Sequence, residues 1–236
     1  MSAKDKNITG SQKVESKLSD FLSRYQRLII VAAIAIVVVI VAVCIAVSVM
    51  QGNEDRKFNE LADLEAQYAS FYSLDSQSEE YAAATGSFRS SADALIASSG
   101  LDSYPGAKAA LLVGDLAFTA QDYQAAADSY ASVAAAQSDS YLGQLAMMNE
   151  AACYENLGDQ TLALELYNEV FDTYGEDSPF APKALFNAGR LYVELGDTEL
   201  ARATFEQLTG LYLAPENGGQ ASEYAMMAEA YLVTMN

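Results

Sequence analysis

The chain has 236 residues, with 13 Lys and Arg against 32 Asp and Glu, a formal net charge of −19, no His, no Trp and two Cys. The lack of His removes the commonest general base and metal ligand, and the acidic excess excludes nucleic-acid binding through phosphate contacts, which need a basic surface. Cys44 and Cys153 sit far apart in different kinds of segment, so they form no disulfide framework.

Residues 1–27 read as a polar tail. Lys13–Arg27 places Val14, Leu18, Phe21, Leu22 and Tyr25 on one face, the pattern of a short amphipathic helix. Leu28–Met50 then runs without a single charge and is built almost entirely of Ile, Val and Ala. As a helix it would be roughly 34 Å long, enough for a hydrocarbon core of about 30 Å. The expectation is a transmembrane helix over 28–50. A cleaved signal peptide fits less well, because its apolar region is shorter and ends in small residues. Val43 before Cys44 likewise argues against a lipidation site. Lys13, Lys17, Arg24 and Arg27 precede the span, whereas only Arg56 and Lys57 follow it closely. The positive-inside rule therefore keeps the tail in the cytoplasm and exports the rest. The Asn7–Thr9 sequon falls on the cytoplasmic side and reads as chance.

With the six basic and three acidic residues of the tail set aside, the body, Gln51–Asn236, carries 7 basic and 29 acidic residues, about −22. Residues 51–100 form its N-terminal segment. Phe58, Leu61, Leu64, Tyr68, Phe71 and Tyr72 recur at helical spacing, Ser73–Ser78 interrupts them, and Tyr81, Ala84, Phe88, Leu95 and Ile96 resume. Two antiparallel helices are expected, followed by a loop at Ser98–Gly106.

From residue 101 the chain repeats itself. Asp122, Asp159 and Asp197 recur at a nearly constant step of roughly 37–38 positions, within the span of helical-repeat periods. Gly precedes the last two, and Gln121 precedes the first. Four residues after each Asp stands Ala126, Ala163 or Ala201, and four further on Tyr130, Tyr167 or Phe205. A Gly-Asp pair turns the chain and caps the next helix. A small residue permits close helix approach, and the aromatic fills the wedge toward the neighbouring unit. Such helix pairs stack into a solenoid because one pair alone cannot bury its apolar face.

This pattern, clearest from Ser178 to Leu208 with Gly189, Gly196-Asp197, Ala201 and Phe205, resembles the tetratricopeptide repeat family. Together with the apolar run, the resemblance implies an all-α chain: a single N-terminal transmembrane helix, then a TPR-like α-solenoid of units at about 107–140, 144–177 and 182–215 with a capping helix at 220–235. It also implies that the first helix of each unit lines a concave face. By register the lining residues are Lys108, Leu111, Asp115, Phe118 and Thr119 in the first unit. The second supplies Leu145, Met148, Ala152, Glu155 and Asn156, and the third Lys183, Phe186, Arg190, Val193 and Glu194. Such a mixed apolar surface suits an extended or helical peptide, although the same side chains could instead be covered by the helices at 58–96.

No catalytic, metal-binding or cofactor motif appears, so the chain is not read as an enzyme. The 15 Tyr read as helix packing and Cys153 as a small buried contact. The layout, with Val14-Glu15-Ser16-Lys17-Leu18-Ser19-Asp20-Phe21-Leu22 ahead of one span and then repeats, resembles YfgM-type ancillary subunits of the Sec translocon. It implies a bacterial inner-membrane protein whose periplasmic repeats bind other proteins or peptides, including translocon subunits or periplasmic chaperones. An envelope scaffold coordinating cell-wall or outer-membrane assembly is the alternative, and an organelle import receptor a third reading that the charge bias opposes.

Overall fold

The computed structural model describes residues 10–213 and 220–235; the Asn7–Thr9 sequon lies outside them. All regular structure among these residues is helical. Two compact units are present, 1–56 and 57–236. Helix α1 (Gly10–Ser70) contributes to both, since no Pro interrupts the sequence between the apolar run and Phe58.

In the first unit, α1 is the one helix among the described residues long and apolar enough to cross a membrane. Its described Ile and Val side chains between residues 30 and 49 are exposed. Leu18, Phe21 and Tyr25 are also exposed, and the Phe21 and Tyr25 rings lie 4.9 Å apart.

Among the described residues the second unit holds the last turns of α1, a 3-10 turn at Phe71–Ser73 and eight further α-helices: α2 (Glu79–Ser99), α3 (Tyr104–Thr119), α4 (Tyr123–Ala136), α5 (Tyr141–Leu157), α6 (Gln160–Tyr174), α7 (Ala181–Leu195), α8 (Thr198–Tyr212) and α9 (Gln220–Thr234). Successive helices pack in chain order from α2 to α9, and α9 also folds back onto α7. The three Asp residues cap as expected. Asp122, Asp159 and Asp197 accept hydrogen bonds from the N–H groups of Ala125, Leu162 and Leu200. Each also closes the helix before it, its own N–H donating to the carbonyl of Ala117, Tyr154 or Tyr192. One residue thus ends one helix and starts the next, which keeps the turn short.

That turn demands a left-handed residue just before the Asp. Gly158 and Gly196 take φ of 81° and 83°, and Gln121 takes 61° with a side chain. Gln121→Gly should therefore raise unfolding stability by about 0.5–1 kcal/mol, the steric relief being partly offset by glycine's extra unfolded-state entropy. An unchanged denaturation midpoint would show that the turn carries no such strain.

The loop expected at Ser98–Gly106 is shorter than its composition suggested. α2 runs to Ser99, and α3 begins at Tyr104 with Pro105 in its first turn and Ser103 accepting a hydrogen bond from the Gly106 N–H. Ser shortly before Pro is a helix-start signal here rather than a loop signal. Ser140 caps α5 in the same way, bonding Gly143. Before α7, Ser178 accepts from the Phe180 N–H and donates to Gln144 Oε1 at 2.7 Å.

Packing follows the small–aromatic rule. Ala126, Ala163 and Ala201 are fully buried, as are Tyr130, Tyr167 and Phe205 to within 2%. Gly114 and Gly189 lie under two of these rings: a Cβ at Gly189 would sit 2.5 Å from Phe205 Cε1, and one at Gly114 would sit 2.7 Å from Tyr130 Cε1. The last turns of α1 join the solenoid through Leu61 and Leu64, which are buried with Phe88, Ala92 and Leu95 of α2 and Leu112 of α3.

Candidate protein-binding face

The residues assigned from the sequence fall into distinct environments. Leu111 and Met148 are core residues, 2% and 3% exposed, packed with Tyr130 and with Tyr167 respectively. Both were expected on the binding face, and both are turned into the core instead. Leu145 packs on the same core as Leu111, whereas Lys183 is exposed. Phe186 is partly covered by the chain's own C-terminal helix, its ring 5.7 Å from Tyr224 and 6.0 Å from Tyr231. The alternative cover read from the sequence was residues 58–96, whereas α9 is what packs on Phe186.

Glu155, Arg190 and Glu194 come together with Tyr167, read from the sequence as a packing aromatic, and Gln160, which the sequence did not single out. Tyr167 donates to Glu155 Oε1 at 2.7 Å, Arg190 pairs with Glu155 Oε2 and with Glu194 Oε1, and Gln160 donates to Glu194 Oε2 at 2.8 Å. Burial pulls the Arg190 guanidinium down, and the two carboxylates more than reverse it, leaving its pKa raised. This network ties the second repeat to the third and gives each of the four carboxylate oxygens a donor. Asn156 bonds the Ala152 carbonyl of its own helix, and Val193 is 38% exposed beside the network.

Asp115 and Phe118 line a pocket of about 260 Å³ with Tyr68, Thr119, Tyr130, Asn149 and Ala152. Tyr130 donates to Asp115 Oδ1 at 2.6 Å. Burial raises the Asp115 carboxyl above its ordinary value, while Tyr130 and the charge of Lys108 oppose that rise. Lys108 makes no ion pair with it among the described residues. Burial, then Asp115 and Tyr72, push Tyr68 up to about 12, so its hydroxyl remains a donor at neutral pH. A second depression of about 140 Å³ shares Tyr68 and Thr119 with the first and is otherwise lined by Phe71, Tyr72, Leu74, Ser76, Tyr81 and Leu116. Asn149 was the detectable omission, since Asn187 repeats it at the same step that separates Asp159 from Asp197.

Two groups outside the pocket, one buried and one half-buried, bear on chemistry. Cys153 is fully buried, and burial with Glu150 and Asp115 pushes its thiol up to about 12, so it holds no thiolate at neutral pH. Glu150 is pushed up to about 7 by burial, then by Glu169 and Asp128. The folded protein keeps a proton there that the unfolded chain, near 4.5, has already released. This contribution is full below the unfolded value and is lost as pH rises through about 7. The melting temperature should fall between about pH 5 and 7.5. Glu150→Gln should flatten that slope and stabilise the protein at the upper end, whereas an unaltered slope would remove Glu150 as its source.

Two tetratricopeptide repeat family models match the chain in tandem, over residues 80–141 and 143–214. The chain belongs to the tetratricopeptide repeat family. The first match starts inside α2, upstream of the repeats read from the Gly-Asp turns. Ala84 and Phe88 in α2 keep the four-residue small–aromatic step, but the helix is capped by Ser78, six residues before Ala84 instead of four. A TPR repeat-containing protein of Treponema pallidum (strain Nichols) is 32% identical over 142 residues, 57% of this chain and 58% of that protein. Photosystem I assembly protein Ycf3 of Cyanophora paradoxa is 31% identical over 114 residues, 43% of this chain and 64% of that protein. The chain therefore spans about three-fifths of the length of these relatives. Tetratricopeptide repeats bind other proteins, and these repeats support a protein-interaction scaffold.

Proposed function

We propose that the chain is a membrane-tethered tetratricopeptide adaptor, its repeats on the exported side of a bacterial inner membrane, engaging proteins or peptides as an ancillary part of the Sec translocon and its chaperone network. The observation that carries the tether is the apolar stretch of α1, whose Ile and Val side chains no other part of the described chain covers. Each such side chain gains about 1.5–3 kcal/mol on leaving water, so lipid is the natural partner for so many together. The four-to-two excess of Lys and Arg before the span supports the orientation. The acidic body would be repelled by anionic headgroups and stand clear of the bilayer. The layout shared with YfgM-type subunits supports the translocon assignment, and a relative named as an assembly protein fits a role in helping other proteins.

Two measurements test this. Reporter fusions at the C-terminus should be active only outside the cytoplasm; a cytoplasmic C-terminus would sink the reading. Tyr72, 85% exposed beside the aromatic pocket, is a suitable site for a photoreactive phenylalanine. Adducts with translocon subunits or envelope chaperones are expected. Adducts confined to cell-wall or outer-membrane assembly proteins would favour the envelope-scaffold alternative.

A further inference from the structure

The Tyr–carboxylate–Arg arrangement between the second and third repeats has an incomplete counterpart between the first and second. The capping residues Asp122, Asp159 and Asp197 set the register between units. By that register Tyr167 of α6 corresponds to Tyr130 of α4, and Arg190 of α7 corresponds to Ala152 of α5. In the complete copy, Tyr167 holds one oxygen of Glu155 and Arg190 holds the other. In the incomplete copy, Phe118 takes the place of Glu155, and the carboxylate comes instead from Asp115, about one turn earlier on the same helix. Tyr130 holds Asp115 Oδ1, and Oδ2 has no hydrogen-bond partner among the described residues. The position of the Arg is occupied by the methyl group of Ala152. What lies there is the pocket of about 260 Å³, with Ala152 in its wall.

We propose that this pocket receives an arginine side chain from a partner polypeptide, which supplies to Asp115 from outside the guanidinium that Arg190 supplies to Glu155 from within. The proposal rests on the scaffold reading above and names one side chain of the partner. The lining matches the ligand. The second Asp115 oxygen accepts a charge-assisted bond. Tyr68, Phe118 and Tyr130 bring aromatic rings to a planar cation. The Asn149 amide and the Thr119 hydroxyl offer further acceptors, which suits the five-donor fork of Arg better than the compact ammonium of Lys. Lys108, on the same helix as Asp115, forms no ion pair with it among the described residues. The acidic body draws basic segments toward it.

The test uses the full chain in detergent micelles, titrated with acetyl-Ala-Arg-Ala-amide and with the same peptide carrying neutral citrulline, while side-chain resonances of Asn149 and Ala152 are followed by NMR. The Arg peptide should shift both, and citrulline should bind at least about tenfold more weakly. Asp115→Asn, which retains an acceptor for Tyr130, should reduce Arg binding by a similar factor. Ala152→Arg should fill the pocket from within, abolish peptide binding and raise the melting temperature. Equal binding of the two peptides, no shifts with either, or wild-type binding by Asp115→Asn would overturn the proposal. If Ala152→Arg fails to fold, the citrulline and Asp115→Asn comparisons still decide. Photo-adducts from Tyr72 that Asp115→Asn leaves unchanged would overturn the arginine assignment while leaving the scaffold reading intact. Loss of all protein adducts in the wild type would instead count against the scaffold itself.

Discussion

Phe205→Ala is expected to lower the unfolding free energy by about 3–5 kcal/mol, the range for removing a buried aromatic side chain and leaving its cavity. Phe205 is 0% exposed, and its ring packs against Phe186 and Tyr231 at 6.1 and 4.9 Å. It therefore joins the last repeat to the capping helix α9 as well as filling its own helix pair. Gly189 sharpens the test. On an open helix surface Gly→Ala gains about 1 kcal/mol, but here the new Cβ would meet the Phe205 ring at 2.5 Å. Gly189→Ala alone should cost about 1–3 kcal/mol, as overpacking does. In the Phe205→Ala background the obstruction is gone, so the same change should become neutral or favourable. That reversal of sign in a double-mutant cycle, read from denaturant melts of the full chain in detergent, measures the contact directly. Additive effects would mean that the ring and the glycine do not constrain each other.

How much of this was legible beforehand depends on the range of each interaction. The Gly-Asp turns, the buried Ala residues and the aromatics four residues later are local, so a regular period exposes them. Ala84 and Phe88 belong to the same pattern but were hidden by the substitution of Ser78 for the capping Asp and by the longer turn after α1. Ser103-Tyr104-Pro105-Gly106 and Ser140-Tyr141-Leu142-Gly143 also repeat at the step from Asp122 to Asp159, and both mark helix starts, the first in a stretch that composition alone presented as loop. The site was less legible. Glu155 and Arg190 were each placed on the binding face, yet their pairing joins helices of different repeats and depends on how one helix pair sits against the next. The covering of Phe186 depends likewise on where α9 docks. Register identifies the helix that carries a side chain, while the stacking geometry decides whether that side chain meets solvent, the core or another charge.

Val38→Arg combined with Val39→Arg should move most of the protein from the carbonate-resistant membrane fraction to the soluble or aggregated fraction. The Leu, Ile and Val residues of the apolar run each contribute about −0.3 to −0.6 kcal/mol to insertion at the helix centre and less toward its ends. Their sum is several kcal/mol. Each central Arg costs about 2.5–3.5 kcal/mol on the same scale, so two of them would cancel most of the insertion energy on which the proposed tether rests. The change should leave the repeats folded, because Val38 and Val39 are 60% and 61% exposed and belong to none of the core clusters of the body. Retained helical circular dichroism and retained tight packing of the repeats, alongside lost membrane association, would separate tethering from folding. Undiminished resistance to carbonate would mean that something other than the apolar run of α1 holds the chain at the membrane. A combined loss of both properties would mean that the body cannot form without the apolar run, a dependence that the core clusters argue against, since all of them lie at or beyond Leu61.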